Sequence, residues 1–280
     1  LKKKNYCAII GQQPSKGARS PLLWNRVFKK FNIDAYFYPF DLKDKKNLKN
    51  LIFALKKDKN YLGGAVTVPY KESVITHLDS LTLEAKMIGA VNSIKRGKKN
   101  ELVGDNTDGK AAILELKSKI KNIHKKSILV LGLGGAGLAV ATCLANEVND
   151  LTVWNRSLKK SKLFVSQMKK YKKKVKLVKT IETIKNFDII VNCTSVGFKN
   201  NKQQKNNIPL KKNLLSGAKS NLFIYDIIYQ PKKTPLIKIA LKKNLRAING
   251  LGMNLIQAVI ACNSVIPSLT MKDIKNAMKN

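Results

Sequence analysis

The chain has 280 residues, 44% of them hydrophobic, enough to bury one large core or two of medium size. Its 54 lysines and arginines against 17 acids leave a net charge of +37, yet only Arg19, Arg26, Arg96, Arg156 and Arg246 are arginine. A nucleic-acid face gathers its charge, uses arginine forks and interleaves aromatics; here lysine is spread over nearly every helix and loop, which argues against that partner.

In chain order, "YCAIIG" (6–11) predicts a buried strand, "SPLLWNRVFKKF" (20–31) an amphipathic helix and "AYFYPF" (35–40) a second strand. "LKNLIFALKKD" (48–58) predicts a helix and "GGAVTVP" (63–69) a third strand that must release its chain at Pro69, since proline cannot donate to a ladder. A helix is expected around 71–77 and another at "LTLEAKMIG" (81–89), followed by short strands at "AVNSIK" and "ELVGDN". A second run opens near residue 110. "SILVLGLGGAG" (127–137) reads as a strand into a glycine turn, "LAVATCLANE" (138–147) as its helix and "DLTVWNR" (150–156) as the next strand. Further strands are expected at "FDIIVNCTS" (187–195) and "LFIYDII" (222–228), with "NKQQKNNIP" (201–209) an exposed loop, a long apolar helix at 252–266 and a last helix from about 270. The alternation predicts a mostly parallel α/β architecture in two domains.

No apolar run approaches a membrane span, and "LKKKNYCAIIG" is too short and too soon broken for a signal peptide. Cys7, Cys143, Cys193 and Cys262 lie far apart, with only His77 and His124 to help, so neither a metal site nor a disulfide framework is expected. A reducing, cytoplasmic setting fits.

Gly132-x-Gly134-x-x-Gly137 stands between an apolar strand and a helix, the context a dinucleotide turn requires. The first glycine makes the tight turn, the second admits a pyrophosphate and the third packs helix on strand. At the end of the next strand an NAD site wants a carboxylate, but the chain offers Asn155, Arg156 and Ser157, then Lys159 and Lys160. Cations stand where a 2′-phosphate would bind, which favours NADP. Lys71, just past the end of a buried strand, is the candidate proton-exchanging group, because ligands bind outside the carboxyl ends of parallel strands.

Nine motifs in order then bring the chain to resemble the shikimate dehydrogenase family: "SPLLWN" (20–25), "VTVPYK" (66–71), "GAVNS" (89–93), "GDNTDG" (104–109), "GLGGAG" (132–137), "WNRS" (154–157), "NCTSVG" (192–197), "YDIIYQP" (225–231) and "GLGMNLIQA" (250–258). The resemblance implies an N-terminal α/β substrate domain (1–109, completed by helices in 251–280) facing a Rossmann-type NADP-binding domain (110–250) across a cleft. It implies reduction of 3-dehydroshikimate to shikimate with NADPH, a step toward aromatic amino acids, by a monomer or homodimer. Carried over, it makes Lys71 the acid/base and Asp108 its partner, and puts Ser20, Thr67, Asn92, Tyr229 and Gln257 around the substrate. Gly132, Gly134, Gly135, Ala136, Gly137, Asn155, Arg156, Ser157, Lys160, Thr194, Ile227 and Gly250 fall on cofactor positions.

Two departures bear on the substrate. Where the family has Ser-x-Ser-Pro this chain reads Ala18-Arg19-Ser20-Pro21, with one extra residue since Gly11, and Ala65 stands where an asparagine is common. Both remove side-chain hydrogen-bonding groups used to recognise shikimate. Arg19, with Lys16 in the same loop, either replaces the lost anchor for a carboxylate or points to solvent while the pocket serves a different substrate. Quinate, aminoshikimate or another hydroxylated cyclic acid therefore stays open as substrate. A basic nucleic-acid-binding protein without turnover is the alternative of another class, and the retained Lys71, Asp108, Asn92 and Gln257 argue against it.

Overall fold

In the computed structural model, which describes residues 4–199 and 201–279, the first apolar run is β1 (Asn5–Gly11). It is followed by α1 (Ser20–Lys30), β2 (Ala35–Asp41), α2 (Leu48–Lys57), β3 (Tyr61–Val66), β4 (Ser80–Leu81), α3 (Leu83–Ile88), β5 (Ser93–Arg96) and β6 (Leu102–Asp105). These strands form one sheet in the order β2-β1-β3-β5-β6-β4. Its β1, β2 and β3 pair in parallel, whereas β5 runs antiparallel to both β3 and β6. The short turn at 97–100, with Asn100 at φ 67°, is what permits that hairpin.

From Asp108 the chain enters α4 (Asp108–Lys119), then β7 (Ser127–Leu131), α5 (Gly135–Glu147), β8 (Asp150–Trp154), α6 (Leu158–Lys170), β9 (Lys176–Leu177), β10 (Ile189–Asn192), β11 (Phe223–Asp226), α7 (Pro235–Lys242) and β12 (Arg246–Asn249). Every pairing in this second sheet, β12-β11-β10-β7-β8-β9, is parallel. The chain closes with α8 (Leu251–Val265) and α9 (Met271–Lys279). Two compact units result: Leu1–Asp108 with Leu255–Asn280, and Gly109–Asn254.

In the first unit β1 is buried on both faces, which is why it reads as a continuous apolar run rather than an alternation. Cys7 and Ile9 face a cluster built from Leu23, Trp24, Val27 and Phe28 of α1, together with Ala258, Val259 and Cys262 of α8 and Ile274 and Met278 of α9. Ala8 and Ile10 face the opposite cluster, with Leu48, Ile52, Tyr61, Tyr70, Val74 and Ile94. In the second unit Leu129 and Leu131 of β7, Ile190, Ile224, Leu236 and Ala240 form the corresponding core.

Several elements differ from the sequence-based expectation. The segment 71–77 is not an α-helix but a single 3₁₀ stretch, Ser73–His77; Val74, Ile75 and Thr76 are β-branched and resist a regular helix. β3 ends at Val66, before the proline, and α5 begins at Gly135 rather than at 138. The helices α4, α6 and α7 and the strands β4, β9 and β12 were not foreseen.

Candidate active site

At the end of β3 the Thr67 N–H donates to Ile10 O at 2.9 Å, and the chain doubles back so that Tyr70 N–H reaches Thr67 O at 3.0 Å. The Val68–Pro69 bond within this turn is cis. Tyr70 is buried and donates its hydroxyl to Leu42 O, and Lys71 O accepts Val91 N–H at 2.8 Å. Both neighbours of the turn are thus pinned, and Lys71 Nζ meets Asp108 Oδ2 at 2.5 Å. Their side chains are only 15% and 8% exposed. A lysine–carboxylate pair so shielded from water can exchange a proton with a bound ligand, the amine form taking one from a hydroxyl and the ammonium form giving one to a carbonyl oxygen. Asp108 is itself held by an Asx-type contact, its N–H donating to Asn106 Oδ1 at 3.0 Å.

A second polar chain lies in the same unit. Asn92, which is 4% exposed, accepts Thr107 N–H on its Oδ1 at 2.8 Å and points its Nδ2 at Thr107 Oγ1, 3.1 Å away. The Thr107 hydroxyl is 3.2 Å from Gln257 O, and Asn92 Nδ2 is 3.5 Å from Gln257 Oε1. Of the expected substrate residues, the structure therefore brings Lys71 to Asp108 and Asn92 to Gln257. Thr67 sits against Gly11, where an added Cβ would meet its Cγ2. Ser20 is buried at the first turn of α1, and Arg19 before it is half-buried. Ala18 packs against the apolar cluster around α1, and Lys16 is exposed.

In the second unit the glycine turn leaves β7 with Gly132 at φ +92°. A side chain there would be strained and would press on Thr194 Cγ2, so Thr194 lies against the turn. A Cβ on Gly137 would collide with Gly132 O, while one on Gly134 would meet nothing within 4 Å. Close packing at the third glycine and free space at the second, ahead of the unpaired N–H groups of α5, fit a pyrophosphate. Asn155 fixes the neighbouring loop: its Oδ1 accepts Leu133 N–H at 3.0 Å and its Nδ2 donates to Ser157 O at 3.1 Å. Ser157 caps α6, whose first turn holds no acid, and Arg156, Ser157 and Lys160 are exposed. No carboxylate of this loop opposes a 2′-phosphate. Ile227 and Gly250 also come together, since a Cβ on Gly250 would overlap Ile227 O. Tyr229 is half-buried in the segment after β11.

With this geometry in view, residues 9–94 match the profile described as "Shikimate dehydrogenase substrate binding domain" and residues 115–228 that described as "Shikimate / quinate 5-dehydrogenase". The chain is 35% identical, over 92% of its length and 90% of the relative's, to a shikimate dehydrogenase (NADP(+)) of Methanococcus maripaludis. The chain belongs to the shikimate dehydrogenase family. A shikimate dehydrogenase crystallised with NADP+ superposes with a TM-score of 0.87 at 30% identity, covering 100% of this chain and 96% of that one. The Thermus thermophilus enzyme in complex with NADP(H) and shikimate gives 0.84 at 25% identity, covering 98% of each.

Against that family frame, sequence reasoning passed over four buried polar residues. Asn106 and Thr107 stand in the same "GDNTDG" motif as Asp108: the Asn106 side chain accepts the Asp108 N–H, and Thr107 reaches Asn92 through its main-chain N–H and Gln257 O through its hydroxyl. Asn192 and Asp226 end β10 and β11, pair in register and bond through their side chains. The available signal was a polar residue closing each of two apolar strands. Among the described residues no helix is long and apolar enough to cross a membrane, and no group of three or more His, Cys, Asp or Glu could hold a metal.

Proposed function

We propose that this chain is an NADP-dependent shikimate dehydrogenase, a CH–OH oxidoreductase interconverting shikimate and 3-dehydroshikimate, with Lys71 as the proton-exchanging group. The observation that carries the assignment of Lys71 is its shielded pair with Asp108. When bound, NADP+ supplies the hydride acceptor and NADPH the donor. In the oxidative direction Lys71 Nζ takes the hydroxyl proton as the carbonyl forms; in the reductive direction it returns a proton to the developing alkoxide. Asp108 orients Nζ in both forms, as the neutral amine that takes the hydroxyl proton and as the ammonium that returns it. Thr67, Asn92 and Gln257 hold the ring hydroxyls, and Ser20 and Arg19 receive the carboxylate. Gly132, Gly134, Gly135, Ala136 and Gly137 cradle the pyrophosphate, Asn155, Arg156, Ser157 and Lys160 the 2′-phosphate, and Thr194, Ile227 and Gly250 the nicotinamide end. Cys7, Cys143, Cys193 and Cys262 form no disulfides, which fits a reducing cytoplasm.

A second substrate is favoured by one observation, the alanines at 18 and 65. With Ser15 also committed to Asp41 by its N–H and hydroxyl, the loop before α1 has fewer side-chain hydrogen-bonding groups of the kind used to recognise shikimate, and another hydroxylated cyclic acid such as quinate or aminoshikimate competes with it for the role. The deciding experiment follows nicotinamide absorbance over a panel of hydroxylated cyclic acids with NADP+ and NAD+. The reading expects turnover of shikimate with NADP+ preferred. Turnover of none of them would overturn it, and a higher kcat/KM on quinate would replace the substrate while keeping the reaction.

A further inference from the structure

A carboxylate that the reaction does not use is buried in the second unit. Asp226 closes β11, is 0% exposed, and stands beside Asn192 of β10 on one side and Asn249 of β12 on the other. Burying a carboxylate without a cation is expensive, and the groups that reach this one are neutral. Asn192 Nδ2 donates to Oδ1 at 3.0 Å, Ile228 N–H to the same oxygen at 3.2 Å, and Thr234 Oγ1–H to Oδ2 at 2.6 Å. Burial pushes its carboxyl up to about 6 against the pull of those hydrogen bonds from Thr234, Ile228 and Asn192. An apolar residue would fill the space at lower cost. What only a carboxylate does is accept on both oxygens while presenting no donor of its own.

The consequences of that acceptance run to the ends of the strands. Because Nδ2 of Asn192 is turned to Asp226, its Oδ1 faces the other way and accepts both Thr194 N–H at 3.0 Å and Thr194 Oγ1–H at 2.7 Å. Thr194 is the residue that leans on Gly132. On the other side, Ile228 is fixed from Asp226 while Ile227 N–H donates to Asn192 O at 3.1 Å and Gly250 N–H to Ile228 O at 3.1 Å. Thr234, having given its proton to Asp226, has lone pairs left to cap α7 through Ile237 N–H. One carboxylate thus sets the positions of Thr194, of Ile227 and Ile228, and of the start of α7.

We propose that Asp226 is a positioning residue for hydride transfer, holding Thr194 and Ile227 at the carboxyl ends of the parallel strands where the nicotinamide is read to lie. This rests on the reading of the second unit as the NADP site. The phosphate-binding groups lie elsewhere, on the glycine turn and the Asn155–Lys160 loop. Disturbing Asp226 should therefore misplace the reacting ring while leaving most of the binding energy intact.

The test uses the full chain carrying Asp226→Asn, Thr234→Val or Thr234→Ser. Each protein is assayed well below its unfolding temperature, with rates normalised to sites titrated with NADP+. Asp226→Asn and Thr234→Val are expected to lower kcat on the order of tenfold to a hundredfold, with the Kd for NADP+ within about threefold of wild type. The primary deuterium isotope effect on kcat, measured with shikimate labelled at the reacting carbon, should rise, because hydride transfer has become slower. Thr234→Ser keeps the hydroxyl and should restore the wild-type rate; a residue that merely stabilised the fold would alter neither isotope effect nor rate per site. Wild-type kcat and isotope effect in both Asp226→Asn and Thr234→Val would overturn the inference. A wild-type chain that binds no NADP+ would instead overturn the cofactor reading beneath it.

Discussion

Replacing Asp226 by asparagine should also change how stability depends on pH, and in a direction opposite to that of most carboxylates. Its carboxyl rises from the ordinary 3.8 to about 6 in the folded chain, with burial the largest cause. The folded state therefore binds this proton more tightly than the unfolded state does. The stability so gained is fully present below 3.8 and is lost as pH rises through about 6. A rise of that size corresponds to about 3 kcal/mol between the two limits. Other acids pull the other way. Asp150 is held below its ordinary value by hydrogen bonds from Lys176 and Ser127, and Asp41 by its bonds from Ser15, so their contributions are present at neutral pH and fall away in acid. A simple pH titration of the wild-type protein mixes these opposing slopes.

The difference between wild type and Asp226→Asn separates them, because Asp41, Asp150 and the rest cancel while the amide does not titrate. Urea unfolding of both proteins from pH 8 to pH 4 should show wild type gaining about 2–3 kcal/mol relative to the variant, nearly all of it below pH 7. The absolute offset between the two curves depends on how Thr234 re-pairs; only its change with pH reports on the carboxyl. A difference that stays flat across the range, or that grows toward alkaline pH, would refute the claim that Asp226 is a desolvated carboxylate.

Lys71→Ala should reduce kcat on the order of 10²-fold or more, the scale of a lost general acid/base; a normal kcat with only KM changed would make Lys71 a binding residue. Arg156→Ala should weaken NADP+ binding by about 1.5–3 kcal/mol and leave NAD+ nearly untouched, and equal losses for both in a titration would contradict its assignment to the 2′-phosphate. Arg96 donates to five main-chain carbonyls, those of Tyr61, Lys56, Asn100, Leu55 and Asp58, three of them at the end of α2. Arg96→Leu should therefore cost about 2–4 kcal/mol in urea unfolding, and a loss under about 1 kcal/mol would show that those carbonyls find water instead.

How much of this was legible without coordinates depended on the range of the interactions. β1, β7, β10 and β11 announced themselves because strands buried on both faces carry unbroken apolar runs. The two-residue strands β4 and β9 are too short to leave a pattern, and lysine at five positions of α6 masked the Ser161, Phe164 and Met168 face that buries it. Val74, Ile75 and Thr76 misled in the other direction, being apolar enough for a helix and too branched to form one. At the site, Lys71 was marked by Pro69, a local signal. Its partner Asp108 lies 37 positions away, and no local pattern reports such a pair; the family resemblance supplied it. The Asn192–Asp226–Thr234 network joins residues 34 and 8 positions apart and stayed invisible for the same reason.

A chain with 54 cations and 17 acids has lysine in abundance, so it is the carboxylates that tell one lysine from another. Lys4–Asp34 and Lys176–Asp150 are open to solvent on the lysine side, at 80% and 72% exposure, whereas Lys71–Asp108 is shielded on both. Screening acts on the two kinds of charge unequally. At physiological salt the Debye length is about 8 Å, which damps exposed charges but leaves a desolvated contact pair nearly as strong. Arg156 and Lys160 are exposed, and on the proposed reading they meet the 2′-phosphate of a polyanionic nucleotide that the net charge of +37 attracts from a distance. Raising salt should therefore raise KM for NADP+ steadily while leaving kcat at saturating nucleotide unchanged. Steady-state assays in increasing potassium chloride, with shikimate and NADP+ varied in turn, measure both constants. If kcat fell in step with kcat/KM, the Lys71–Asp108 pair would have to be as open to ions as the surface, and its role as a shielded proton-exchanging unit would be lost.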